Sequence, residues 1–296
     1  MDTVHKCNCL LNKPTANPLA GVLEITATEL LQLSNIRAGF YTIIMTEHKC
    51  DNFDHGRKTC DFSCATAIFL KPGEKINTGS SGCKGCSLSH IVAFHPDLLC
   101  GTKLADEIEH YSFFRYSNKE ALHVSACEKD ILCECISAIS RELNRPADIY
   151  SHTIVTRHIS LLLDYCRRFY HRQFITRADI NNRILQHTKK FITDFFTSER
   201  GHRTDTGHGL PTPQSCAAHL GLSEAYLEDL VRHEKGMSIS EYIQARRFDI
   251  AEEMILNSGK TLSEISKRLA YPSPQCLSYI FTKKTGMTPC QSRMRN

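Results

Sequence analysis

The apolar positions change their spacing along the chain. From about Gly21 to Phe94 they fall in short β-favouring runs: Phe40-Tyr41-Thr42-Ile43-Ile44-Met45, Phe62 to Leu70, and Leu88 to Phe94. Lys71-Pro72-Gly73-Glu74 ends the second run as a turn, and Gly79 to Gly85 is a Gly/Ser-rich loop. Short strands parted by turns predict a small antiparallel barrel or sandwich. From Pro96 the spacing becomes helical. Ser125 and Glu128 form a capping box ahead of Ile131, Leu132, Cys135, Ile136, Ile139 and Leu143. Pro146 breaks this helix. A second runs through Ile149, Ile154, Ile159, Leu162, Leu163, Cys166 and Phe169. Arg183 to Phe196 predicts another helix, and the polar, Gly-rich stretch from Glu199 to Pro211 predicts a loop.

The stretch from Pro213 to Arg293 repeats itself. Leu220, Leu230, Val231, Gly236, Met237 and Ser238 are echoed by Leu269, Ile280, Phe281, Gly286, Met287 and Thr288. The offset is 49 residues at the first pair and 50 afterwards, so the second copy is one residue longer. Each copy, about 213–235 and about 261–285, has helix-turn-helix grammar. Thr212 caps a short helix with Pro213 in its first position, where a missing N–H costs nothing. Gly221 suits a left-handed turn. Ser223 caps the next helix, which carries Leu227, Leu230 and Val231, and Gly236 closes it. In the second copy Thr261 and Glu264 form a capping box, Ile265, Leu269, Leu277, Ile280 and Phe281 make the apolar stripe, and Gly286 closes it. Between the copies, Ser238 and Glu241 open a helix that runs to about Asn257. Some twenty residues at 1.5 Å rise make a rod of roughly 30 Å. That is close to the ~34 Å separating major grooves on one face of B-DNA.

These residues resemble the AraC/XylS family of bacterial transcription regulators. The matching runs are Ala217-Ala218-His219-Leu220-Gly221-Leu222-Ser223, Ser240-Glu241-Tyr242-Ile243, Thr261-Leu262-Ser263-Glu264-Ile265 and Phe281-Thr282-Lys283-Lys284-Thr285-Gly286-Met287-Thr288-Pro289. Upstream, Phe169 to Arg177 and Ala93-Phe94-His95-Pro96-Asp97 resemble a branch of the family common in Bacteroidetes. The chain departs from the family pattern at Ala270-Tyr271, where Gly-Phe is usual, at Leu277, and at Ser292-Arg293. Ala270 takes the turn conformation only with strain.

The resemblance implies an α+β chain in two domains. Residues 1–178 would hold a cupin-like β-barrel (about 20–96) and amphipathic helices (97–174) that bind an effector or dimerise. Residues 179–296 would be an all-α DNA-binding domain, its two helix-turn-helix units joined by a long helix. The two amphipathic helices would serve dimerisation, or simply pack against the barrel. The implied partners are double-stranded promoter DNA, RNA polymerase, a small-molecule effector and a second copy of the chain. Neither an enzymatic activity nor a cofactor is expected.

The candidate DNA contacts follow from the family positions. On the first recognition helix these are Ala225, Glu228 and Asp229. A carboxylate accepts from cytosine N4 but repels phosphate, so the acidic pair reads bases or is solvated and caps neighbours. Tyr226, Arg232 and His233 are candidates for the DNA backbone. On the second recognition helix Gln275, Ser278 and Tyr279 project outward, and Gln reads adenine bidentately. Lys283 and Lys284, and Arg246 and Arg247 on the linking helix, are phosphate anchors or solvated charges.

Composition constrains the rest. Net charge is +4, and from Pro211 onward there are eleven Lys and Arg against nine Asp and Glu, so charge placement matters more than its total. There is no run of eighteen apolar residues to predict a membrane span, and the N-terminus, with Cys7, Asn8 and Cys9, lacks the long apolar core of a signal peptide, so a soluble cytoplasmic protein is expected. In that compartment most of the fifteen cysteines act as reduced, small apolar residues. Cys60, Cys64, Cys83 and Cys86 offer four thiolates, enough for a tetrahedral zinc in a thiol sensor or a methyl-acceptor repair domain similar to the Ada type. Against this, Cys60 and Cys64 sit an even number apart in an expected strand and would face one side as packing residues. His90 and His95 are either cupin-type metal ligands or satisfied core histidines.

Overall fold

A computed structural model describes residues 3–33, 36–48, 56–75, 86–197 and 210–295. The chain divides into two compact units, Met1–Ala178 and Asp179–Asn296. The first is α+β and the second all-α.

The first unit runs α1 (Val4–Leu10), β1 (Ala20–Ile25), α2 (Ala27–Gln32), β2 (Tyr41–His48), β3 (Ala65–Leu70), β4 (Cys86–Phe94), α3 (Lys103–Glu107), β5 (Leu122–Val124), α4 (Ala126–Leu143) and α5 (Ser151–Thr176). The strands form one antiparallel sheet in the order β1-β4-β2-β3-β5. Among the described residues β1 and β5 are its edges and do not pair, so the expected barrel is an open sheet there. The three apolar runs seen in the sequence become β2, β3 and β4, and Gly73 takes the turn after β3 at φ 88°. The loop expected at Gly79 to Gly85 lies outside the described residues, as does most of the one expected at Glu199 to Pro211.

Both faces of the sheet are covered, which explains why β3 (Ala-Thr-Ala-Ile-Phe-Leu) is buried at every position. One face packs Leu23, Ile25, Ile44, Ile68 and Ile91 against Val4 and Cys7 of α1, Leu11 just after it, and Leu30 and Leu33. The other carries an aromatic cluster. Tyr41 stacks on Phe94 at 5.1 Å, Phe69 meets Phe113 at 4.5 Å, and Tyr170 of α5 stacks on Phe113 at 5.4 Å.

Alpha-5 closes the β5 edge through its side chains. Buried Gln173 accepts from the His123 amide at 2.8 Å and donates to the Ala121 carbonyl at 3.0 Å. An edge strand is thereby satisfied by a helix rather than left open. The Ser125/Glu128 box caps α4 as expected, and Arg172 binds the same Glu128 carboxylate at 2.7 and 3.0 Å. At the end of α5, Arg177 makes a two-pronged, buried ion pair with Asp61 (2.8 and 2.5 Å). Burial acts to raise the Asp61 pKa, but hydrogen bonds and charge from Arg177 outweigh it and hold the carboxyl below the usual carboxylate range.

The cysteines behave in two ways. Cys7, Cys135, Cys166 and Cys216 are buried free thiols, and burial pushes Cys7 and Cys216 up to about 11. The strand argument for Cys60 and Cys64 is wrong: β3 begins only at Ala65, so both precede it, Cys60 exposed and Cys64 half-buried. Cys83 and the side chain of Cys86 lie outside the described residues. His95 does not line a site with His90; it caps the turn after β4, its Nδ1 accepting from the Asp97 amide at 3.2 Å.

The second unit runs α6 (Ala178–Thr197), α7 (Pro213–Leu220), α8 (Glu224–Lys235), α9 (Ile239–Asn257), α10 (Leu262–Arg268), α11 (Pro274–Thr285) and α12 (Pro289–Arg295). Its core gathers Leu227, Leu230, Val231, Ile243, Ala251, Ile255, Ile265, Leu269, Leu277 and Phe281. Among the described residues no helix is long and apolar enough to cross a membrane.

Candidate nucleic-acid interface

Two tri-helical arrangements carry the expected reading heads. In the first, α7 ends at Gly221, whose φ of 66° lets the chain reverse, and the Leu222 amide reaches back to the Ala217 carbonyl at 3.0 Å. Ser223 caps α8 through the Tyr226 amide at 3.2 Å. In the second, Ala270 takes the same role at φ 55°, and Tyr271 reaches back to the Ser266 carbonyl at 2.8 Å. Ser273 caps α11 through the Cys276 amide at 3.1 Å. The recognition helices α8 and α11 are each 12 residues long. Gly236 and Gly286 close them at φ 68° and 76°. Each then passes through a short turn into a capped helix, α9 through the Ser238/Glu241 box and α12 through Thr288 and Gln291.

Alpha-9 is the rod between them. Its 19 residues span about 28 Å at 1.5 Å per residue. Arginines fasten its surroundings. Arg293 of α12 donates to the Ile255 carbonyl at 2.8 Å and to the Lys260 carbonyl, near the end of α9. Arg268 donates to the carbonyls of Phe196 and Thr197 at the end of α6. A cation at a helix C-terminus satisfies carbonyls that lack intrahelical donors and complements the helix dipole. Residue spacing carries no signal for these two roles.

The structure separates the expected contacts into surface and scaffold. On α11, Gln275, Tyr279, Lys283 and Lys284 are exposed, Tyr279 at 67%, and Ser278 is half-buried. Lys284 Nζ also lies 4.3 Å from the centre of the Phe248 ring. On α8, Ala225 and Asp229 are half-buried and Arg232 is exposed. His233 is half-buried beside Glu234.

Four expectations change. Tyr226 is only 3% exposed and belongs to the core with Leu227 and Leu230, so its ring does not present a face to DNA. Glu228 is the capping carboxylate of the two alternatives: it accepts from the Ile239 amide at the start of α9 at 2.9 Å and pairs with Arg232 at 2.6 Å. Arg246 is held by Asp249 at 2.5 Å. Arg247 is buried, neither solvated nor a phosphate anchor. Its Nε donates to the Leu269 carbonyl at 2.7 Å, its Nη2 to that of Ala270, and its guanidinium lies 3.8 Å from the centre of the Tyr271 ring. Burial lowers its pKa, but a guanidinium remains charged there.

Known proteins resemble the chain in sequence over this same stretch. A family model described as a helix-turn-helix domain matches residues 216–295. The HTH-type transcriptional activator RhaR of Cronobacter sakazakii is 33% identical over 86 residues, covering 28% of this chain and 30% of that one. RhaR of Salmonella arizonae is 35% identical over 71 residues, 24% and 25% of the two chains. The solved C-terminal domain of AraT, a response regulator from Geobacillus stearothermophilus, is 26% identical, covers 38% of this chain and 85% of that one, and has a TM-score of 0.30. The chain thus spans less than a third of the length of the curated relatives it matches. Residues 216–295 of its C-terminal unit form a helix-turn-helix domain similar to that of the RhaR transcriptional activators.

Proposed function

We propose that this protein is a sequence-specific regulator of transcription that reads promoter DNA with both helix-turn-helix units of one chain. The observation that supports this most is the repetition of one turn geometry, at Gly221 and at Ala270, on either side of a 28 Å helix. Two recognition helices carried this way fit successive major grooves on one face of a duplex. Gln275, Ser278, Tyr279 and Ala225 are the proposed base contacts. Lys283, Lys284, Arg232 and His233 are the proposed phosphate contacts. The first unit would bind an effector or a second copy of the chain and so alter recruitment of RNA polymerase. The setting would be the cytoplasm, and the role calls for no enzymatic reaction. No described residue favours the four-cysteine zinc or methyl-acceptor reading.

The test is selection of bound fragments from the source genome, followed by titration of the winners against scrambled duplexes. Specific binding should be at least about a thousandfold tighter than binding to the scrambled sequence at moderate salt. Equal affinity for both would remove the reading.

A further inference from the structure

We propose that Glu47, His90 and Cys133 bind one divalent transition-metal ion of the zinc type in the first unit. The three residues come from β2, β4 and α4, and their donor atoms all lie within 4.8 Å of one another. The sheet register places them. His90 stands opposite Glu24 of β1 and Met45 of β2, so Glu24, His90 and Glu47 share the face on which α4 packs. The His90 side chain is 12% exposed and that of Glu47 28%, so the group is partly withdrawn from water but open to an entering ion.

The donor set selects the ion class. Imidazole, thiolate and carboxylate together suit zinc and its neighbours, whereas magnesium and calcium take oxygen ligands. His90 Nε2 and Glu47 Oε1 stand 3.9 Å apart. Two donors about 2.1 Å from a tetrahedral ion are about 3.4 Å apart, so a side-chain adjustment of about half an ångström closes the pair on the ion. The other ring nitrogen, Nδ1, faces Glu24 Oε1 at 3.9 Å. A carboxylate there is what orients a metal-bound imidazole from behind. Three protein ligands leave a fourth position for water or another donor.

Lys129, one turn before Cys133, places its ammonium 3.6 Å from Glu47 Oε1. It supplies positive charge where the ion would stand, and its flexible stem lets it withdraw. A plain ion pair would explain Glu47 and Lys129. It would not explain a thiol and an imidazole nitrogen that both lie within 4.8 Å of the same carboxylate oxygen. Burial, and then the Glu47 charge, raise the Cys133 pKa, so its thiol is protonated in the metal-free chain. On binding, the S–H proton leaves to solvent and a metal–thiolate bond forms. The ion would fasten α4 to β2 and β4. It would thus be a ligand for the sensing unit proposed above, although its binding stands without that reading and is measured without DNA.

The experiment is titration of the full, reduced, chelator-treated chain with cobalt(II), and separately with zinc. One equivalent of cobalt should give a thiolate-to-cobalt charge-transfer band in the near ultraviolet, removed by one equivalent of zinc. Cys133→Ser should abolish the band. Glu47→Gln and His90→Gln should weaken binding by about tenfold or more. Cys60→Ser and Cys83→Ser should leave it unchanged. Circular dichroism checks each variant's fold; if Cys133→Ser does not fold, the near-isosteric Glu47→Gln decides. A band that survives both changes, or no cobalt bound by the unaltered chain, overturns the proposal.

Discussion

Arg247 donates to the carbonyl of Ala270, the residue that carries a left-handed φ of 55° in the second helix-turn-helix. The guanidinium on the rod therefore holds the turn where glycine is missing. A left-handed alanine costs about 1–2 kcal/mol, and glycine returns part of that gain through its greater unfolded freedom. Ala270→Gly should stabilise the second unit by about 0.5–1 kcal/mol in urea melts. Arg247→Met should destabilise it by about 1–3 kcal/mol, because the Leu269 and Ala270 carbonyls lose buried donors. Equal stability of Arg247→Met and the unaltered chain would show that the turn needs no such support.

Capping boxes, closing glycines and apolar stripes were legible in the chain because each is set by residues within one or two turns. Thr212, Ser223, Ser238 and Thr261 all cap where their spacing predicts. The strained Ala270 was legible for the same reason. Glu228 and Arg247 were not, since their backbone partners depend on how successive helices meet, whereas Arg246 pairs with Asp249 three residues on in its own helix. The Arg247 contacts to Leu269 and Ala270 join residues 22 and 23 positions apart across a helix junction. The Asp61–Arg177 pair spans 116 positions, beyond any periodicity. Strand runs were legible, but whether the sheet closes depends on pairings that alternation does not encode.

Glu228 separates stability from base reading. Glu228→Ala should lower stability by about 1–2 kcal/mol, since the Ile239 amide at the start of α9 loses its acceptor. Base preference, measured by selection from random duplexes, should stay the same. A changed preference at one position would return Glu228 to the reading surface.

Lys283 and Lys284 differ although they are neighbours. Lys283→Ala should weaken binding on all sequences alike and reduce the salt slope by about one. Lys284→Ala should do the same and also cost about 0.5–1 kcal/mol of stability, because its ammonium lies over Phe248. Salt titrations paired with thermal melts distinguish them. Identical melts for both variants would remove the cation–π contribution.

Asp61 makes the first unit acid-sensitive. Its pKa is depressed in the folded chain, so its contribution is fully present above the unfolded value of about 3.9 and is lost as pH falls through the folded value. Asp61→Ala should cost about 3–5 kcal/mol near neutrality, because Arg177 would remain buried without its carboxylate. Urea midpoints followed from pH 7 into acid should converge for the two proteins. A gap that persists in strong acid would show that the pair's charge is not what matters.

The central claim is that one chain sets two recognition helices into successive major grooves, and hydroxyl-radical footprinting of a single bound chain on a selected duplex tests it most directly. The account predicts two protected stretches on one face, centred about 10–10.5 base pairs apart, the one under α11 weakening when Gln275 and Tyr279 are replaced by Ala. A single protected stretch, or a footprint indifferent to those replacements, would contradict it.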